Sequence, residues 1–103
     1  MKLYHGTDAK GAEAINNDGV IKAGHSYYGG VSGVALTPRF DVAVDFALAH
    51  GGDGVVFEVE VDKDVLVADP ESGNIDSVEE VVAAGGSVYA CVNTVTPRKQ
   101  HEV

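Results

Sequence analysis

Cysteine is nearly absent from this sequence. Cys91 stands alone, so no disulfide can form within the chain. It lies in Val88-Tyr89-Ala90-Cys91-Val92, an apolar strand-like run, and is expected to be a small buried hydrophobe rather than a nucleophile. No apolar run approaches the roughly 18 residues that a membrane-spanning helix needs. The opening residues, Met1-Lys2-Leu3-Tyr4-His5-Gly6, hold no apolar stretch of the signal-peptide kind. Together these absences set the expectation of a soluble cytoplasmic protein. Positive charge is also scarce. Lys and Arg total 7 against 16 Asp and Glu, a net charge of −9, so binding to nucleic acid phosphates is disfavoured. His5, His25, His50 and His101 show no metal-ligand spacing, and Asp62 and Asp64 lack the rest of a calcium loop. No Walker loop and no Gly-x-Gly-x-x-Gly after a strand is present.

The length of 103 residues suits a single domain, spanning 1–103. Apolar residues make up 45% of it with no long polar tract, which argues against disorder. The acidity is uneven. Residues 1–50 carry four Lys or Arg and five Asp or Glu, a balance of −1; residues 51–103 carry three and eleven, a balance of −8. A solvated acidic face explains this most simply. A negative surface that docks on a basic partner, or mimics nucleic acid, is the sharper alternative.

Lys2–His5 reads as a first strand and Ala9–Asn17 as a helix with Ala12 and Ile15 on one face, stopped by Asp18-Gly19. Val20-Ile21 reads as a brief strand. Residues 22–33, rich in Gly and Ser around Tyr27 and Tyr28, read as a loop. Val34–Leu36 is a strand, and Thr37-Pro38 opens a helix, with Thr37 as N-cap and Pro38 in the first helical position. Phe40, Ala43, Val44 and Ala47 form its buried face, and Gly51–Gly54 ends it. Val55–Val61 alternates, with Val55, Phe57, Val59 and Val61 on one side and Val56, Glu58 and Glu60 on the other. Val65–Ala68 extends or follows it. Ser77 and Glu80 have capping-box spacing, which predicts a short helix over Ser77–Ala84 closed by Gly85-Gly86. Ser87–Val92 is a further strand and Gln100–Val103 a last one. Strands outnumber helices without regular alternation, so the predicted class is α+β.

Taken in order, the fragments Leu3-Tyr4-His5-Gly6-Thr7, the Gly- and Tyr-rich loop, Gly33-Val34-Ala35-Leu36-Thr37-Pro38 with its helix, Val56–Val61 and Gln100-His101-Glu102-Val103 resemble the ADP-ribosyltransferase superfamily, in its His-Tyr-Glu class. The resemblance covers most of the chain and is densest over residues 3–62. It implies a split β-sheet core with short flanking helices. It also implies NAD as substrate, with no metal, and transfer of ADP-ribose to a macromolecular acceptor, a protein. The small size and the acidity then suggest a phage or bacterial effector.

In that family the bond between nicotinamide and ribose breaks, leaving positive charge on the sugar that a carboxylate stabilises. By position in the motif, Glu102 resembles that carboxylate and Gln100 the residue that engages the acceptor. An exposed terminal carboxylate is the equal alternative for Glu102. His5 resembles the histidine that bonds a ribose hydroxyl. Gly6 resembles the glycine whose bare backbone approaches the nicotinamide amide, and Thr7 completes the motif. Tyr27 or Tyr28 is implied to stack on the cationic ring; packing of the loop onto the core is the other reading for both. Thr37 resembles the hydroxyl residue of the second motif, and a helix cap there serves equally. If Glu102 takes its place, the last strand must run beside the first.

Two departures bear on catalysis. Ala35 stands where the class often has a second aromatic, which implies a half-built nicotinamide clamp. A strand that normally follows the last motif is expected to be short or absent. Arg39 and Arg98 are the only arginines, too few for the phosphate-binding RNA 2′-phosphotransferase branch. The alternatives are a non-catalytic acidic binding module of the same fold, and an NAD glycohydrolase using water as acceptor.

Overall fold

The computed structural model describes residues 1–25, 32–49, 51–68 and 77–103, so Tyr27 and Tyr28 lie outside the described residues, as does much of the acidic stretch after Ala68. β1 (Lys2–Asp8) runs directly into α1 (Ala9–Asp18). Asp8 ends the strand and caps the helix, its carboxylate accepting from the Gly11 N–H at 2.8 Å. Ala12 and Ile15 are the residues α1 buries, and Gly19, at φ 75°, closes it in the left-handed conformation. There follow β2 (Ile21–Lys22), β3 (Gly24–His25), β4 (Ser32–Leu36), α2 (Phe40–Leu48) and β5 (Gly54–Glu60). A 3₁₀ turn at Lys63–Val65 leads to β6 (Leu66–Ala68), then α3 (Val78–Ala83), β7 (Val88–Ala90), β8 (Thr94–Val95) and β9 (Pro97–Glu102).

Among the described residues the strands form three sheets, in the orders β1-β5-β9, β2-β8 and β3-β4-β7-β6, with every pairing antiparallel. The predicted α+β class describes this arrangement. β1 touches the four-stranded sheet at one bridge, Tyr4 to Thr37, where Tyr4 N–H donates to Thr37 O at 2.8 Å and Thr37 N–H to Tyr4 O at 2.9 Å.

β5 is central, and over Gly54–Phe57 it is buried on both faces. Val55, Phe57 and Val59 enter the main core with Leu3, Ile15, Val34, Leu36, Val81 and Val88. Val56, on the opposite face, packs under Ala43 and Ala47 of α2. The alternating pattern correctly places Val56 opposite its neighbours, but that side too is covered. α2 lies so close to the sheet that Gly6 and Gly54 face its backbone. A Cβ on Gly6 would stand 1.9 Å from Ala43 O, and one on Gly54 would stand 2.6 Å from Ala47 O.

Three expectations need correction. Thr37 is not the N-cap of α2; Arg39 holds that position, without a side-chain cap bond. The bridge with Tyr4 keeps Thr37 extended, so helical turns start only beyond Pro38. Phe40 is not fully buried but 39% exposed, and its ring meets Tyr4 and His101 edge-on at 5.4 Å each. Cys91 is exposed, one residue past the end of β7, where its N–H is turned to Val65 O at 2.7 Å. The short helix behaves as the capping spacing predicts. Ser77 Oγ accepts from Glu80 N–H and donates to Glu80 Oε1, both at 3.3 Å.

Candidate functional site

Below the Tyr4–Thr37 bridge, β1 and β4 separate. The next residue of β1, His5, reaches across the gap, and its Nδ1 lies 2.8 Å from Ala35 O. A carbonyl oxygen can only accept, so Nδ1 carries the proton and Nε2 is the free position of the ring. The gap is a cavity of about 170 Å³, lined by His5, Gly6, Ala35 and Thr37, with Phe46, Ser87 and Tyr89 among the other walls. Burial pushes the His5 imidazole below its ordinary value of 6.5, against the Ala35 carbonyl, which favours the charged ring. The ring is therefore neutral at pH 7, and Nε2 presents a lone pair that accepts a hydroxyl proton.

This has a consequence for stability. The unfolded chain binds a proton at His5 near 6.5 and the folded one only at lower pH. Between those two values the unfolded state holds more protons, so folding stability falls as pH drops below 6.5. Urea midpoints taken on both sides of pH 6.5 should show wild type losing more on acidification than His5→Asn. Parallel pH profiles for the two proteins would refute this.

Of the residues singled out from the sequence, His5, Gly6 and Thr37 meet at one cavity. Thr37 is 3% exposed, and its hydroxyl oxygen accepts from Arg39 N–H at 3.2 Å, so the group that the motif matches also steadies the turn into α2. Arg39 in turn grips Asp41, with Nη2 to Oδ2 at 2.7 Å and Nε to Oδ1 at 3.1 Å, and the guanidinium holds that carboxyl below its usual range. Thr7 lies elsewhere: its Oγ1 would be 2.1 Å from a Cβ placed on Gly11, under the first turn of α1.

Glu102 and Gln100 do not join His5. The expectation that the last strand runs beside the first is incorrect, because β5 lies between β1 and β9. The physical reason is composition. A strand that buries both faces along part of its length takes the middle of a sheet, and Pro97-Arg98-Lys99-Gln100-His101-Glu102 suits an edge. His5, Phe57 and Gln100 lie in one register row, so β9 is two strand spacings, about 10 Å, from β1. Gln100 and Glu102 share a face, as their spacing predicts. They line a second, open cavity of about 600 Å³ with Glu13, Asn16 and Asn17 of α1 and with Asp53. Two other carboxylates late in the chain are engaged elsewhere: Glu79 Oε1 meets Lys63 Nζ at 3.0 Å, and Glu80 closes the cap of α3.

Two aromatic walls of the first cavity escaped the sequence reading. Tyr89 sits directly opposite Ala35 in the β4–β7 register, so the position that lacks an aromatic has one beside it. No local signal marks this, because β4 and β7 are far apart in sequence. Phe46 did carry a signal: it is a large apolar residue off the Ala43–Ala47 stripe, and it is 58% exposed. Compared with protein-family models, curated proteins and solved structures, the chain matches none of them.

Proposed function

We propose that the chain is an ADP-ribosyltransferase-like domain that takes the nicotinamide end of NAD into the cleft between β1 and β4 and passes ADP-ribose to a protein. The observation that carries this is the anchoring of His5 by the Ala35 carbonyl inside a cavity walled by Tyr89 and Phe46. A neutral imidazole held at Nδ1 presents Nε2 to a ribose hydroxyl. Aromatic faces suit a planar cationic ring, a contact of up to about 2 kcal/mol when water is excluded. At about 170 Å³ the cavity fits one ring and part of a sugar. The rest of the dinucleotide would lie along the open side of the cleft.

Calorimetric titration with NAD tests the binding step. His5→Ala should weaken affinity about tenfold or more, because the half-buried ring nitrogen that would bond the ribose hydroxyl is removed. Equal affinity in the two proteins would remove His5 from the site.

The placement of Glu102 in the second cavity favours another reading: the same fold binding its ligand without turnover, its acidic surface docked on a basic partner. Nicotinamide release separates the two. Turnover with ADP-ribosylated protein in a lysate supports transfer, and release without labelled protein supports hydrolysis. With Glu102 in the other cavity, Glu102→Gln should leave nicotinamide release unchanged; loss of turnover at unchanged NAD affinity would return Glu102 to the charge that forms as the bond breaks. Binding with no release supports the binding module.

A further inference from the structure

The polar strand β9 is an edge: among the described residues no strand pairs with its outer side. Which of its backbone groups face outward follows from one hydrogen bond. Val103 N–H donates to Gly54 O at 3.0 Å, in the same register that sets Glu102 opposite Val55 and Gln100 opposite Phe57. Hydrogen-bonded and non-bonded pairs alternate along an antiparallel ladder. His101 and Lys99 therefore turn their N–H and C=O groups towards β5. Gln100 and Glu102 turn theirs to the open side, and the register shift between Glu58 and Val59 leaves Arg98 as the extra residue of the strand, with no partner on β5.

We propose that this edge is self-complementary, and that two copies of the chain associate by antiparallel β9–β9 pairing about a two-fold axis at Gln100. An isologous contact must pair outward-facing residues of one copy with outward-facing residues of the other. Three central registers do so. Centred on Lys99, the pairing sets two lysines face to face. Centred on His101, it sets Glu102 against Gln100 and leaves Arg98 with no acidic residue opposite. Centred on Gln100, it sets Arg98 against Glu102 of the second copy, twice, with Gln100 against Gln100 between them. Arg98 and Glu102 are both exposed, and neither makes an ion pair among the described residues. Arg98 and Lys99 are adjacent cations in a chain of net charge −9, which lowers the repulsion a second copy meets at this edge. Pro97 and the register shift between Glu58 and Val59 bound the pairing at one end, which favours a closed pair over a growing ribbon.

Sedimentation equilibrium of the full chain at moderate salt tests this independently of any NAD chemistry. Wild type should approach twice the 10.7 kDa monomer mass as concentration rises. Arg98→Glu sets like charges opposite each other at both positions and should weaken association about tenfold or more. Arg98→Glu combined with Glu102→Arg exchanges the charges across the axis and should restore it. Amide exchange at Gln100 and Glu102, whose N–H groups make no ladder bond to β5, should slow on association. A chain that stays monomeric at its highest soluble concentration would overturn the proposal. So would a dimer indifferent to Arg98→Glu, or a double variant no better than the single one.

Discussion

Gly6→Ala should cost about 3 kcal/mol of folding stability, at the severe end of what added core volume does. The new Cβ would stand 1.9 Å from Ala43 O, 2.8 Å from Ala43 C and 3.1 Å from Ala47 N. All three are backbone atoms of α2, so no side chain can rotate away and the helix itself must lift. Lifting it uncovers Val56, which is fully buried beneath. Gly24→Ala is the control: among the described residues a Cβ there meets nothing within 4 Å, and the substitution should be close to neutral. Urea unfolding of both variants beside wild type measures the difference. The comparison also separates two roles for the same glycine. If Gly6→Ala keeps its stability and loses only NAD affinity, the missing Cβ serves the ligand. If it loses stability, the missing Cβ serves the seat of α2, and any effect on ligand follows from that.

Phe57→Ala should remove about 3–5 kcal/mol, the usual range for deleting a buried aromatic and leaving a cavity. Phe57 is 1% exposed and lies in mid-β5, in the register row between His5 and Gln100. Its ring enters the core that Leu3, Ile15 and Val88 also fill, so it ties the three-stranded sheet to α1 and to β7. A domain of this size is stable by only about 5–15 kcal/mol, so the variant should be marginal at 25 °C. Phe46→Ala, on a ring that is 58% exposed, should shift stability by no more than about 0.5 kcal/mol. Chemical denaturation of the two alanine variants checks the contrast. Equal losses would mean that β5 does not organise the core.

The local elements were largely legible in the sequence. α1 ends on a glycine at the expected place, α3 starts at the serine that the capping spacing marks, and β5 follows the apolar alternation closely. Elements whose existence depends on a distant partner were harder. β8 is two residues long and exists through its pairing with β2, and the β3–β4 pairing brings strand structure into a stretch that reads as loop. The start of α2 was misplaced because Thr37 is held extended by Tyr4, a residue more than thirty positions away.

The candidate site divides in the same way. The resemblance grouped His5, Gly6 and Thr37, and the structure brings them to one cavity, with His5 and Gly6 inside β1 rather than at its end. Glu102 was assigned to that group by order along the chain, which carries no information about which strand lies between. By itself the sequence determined the α+β class, the apolar stripe of α1, the helix stops and the acidic balance, because each depends on neighbours a few residues apart. Only the tertiary structure decided that β5 separates β1 from β9, that Tyr89 stands beside Ala35, and that Gly6 faces the backbone of α2. These are contacts between segments remote in sequence. They are set by which strand can bury both of its faces and by how closely a helix can approach a sheet.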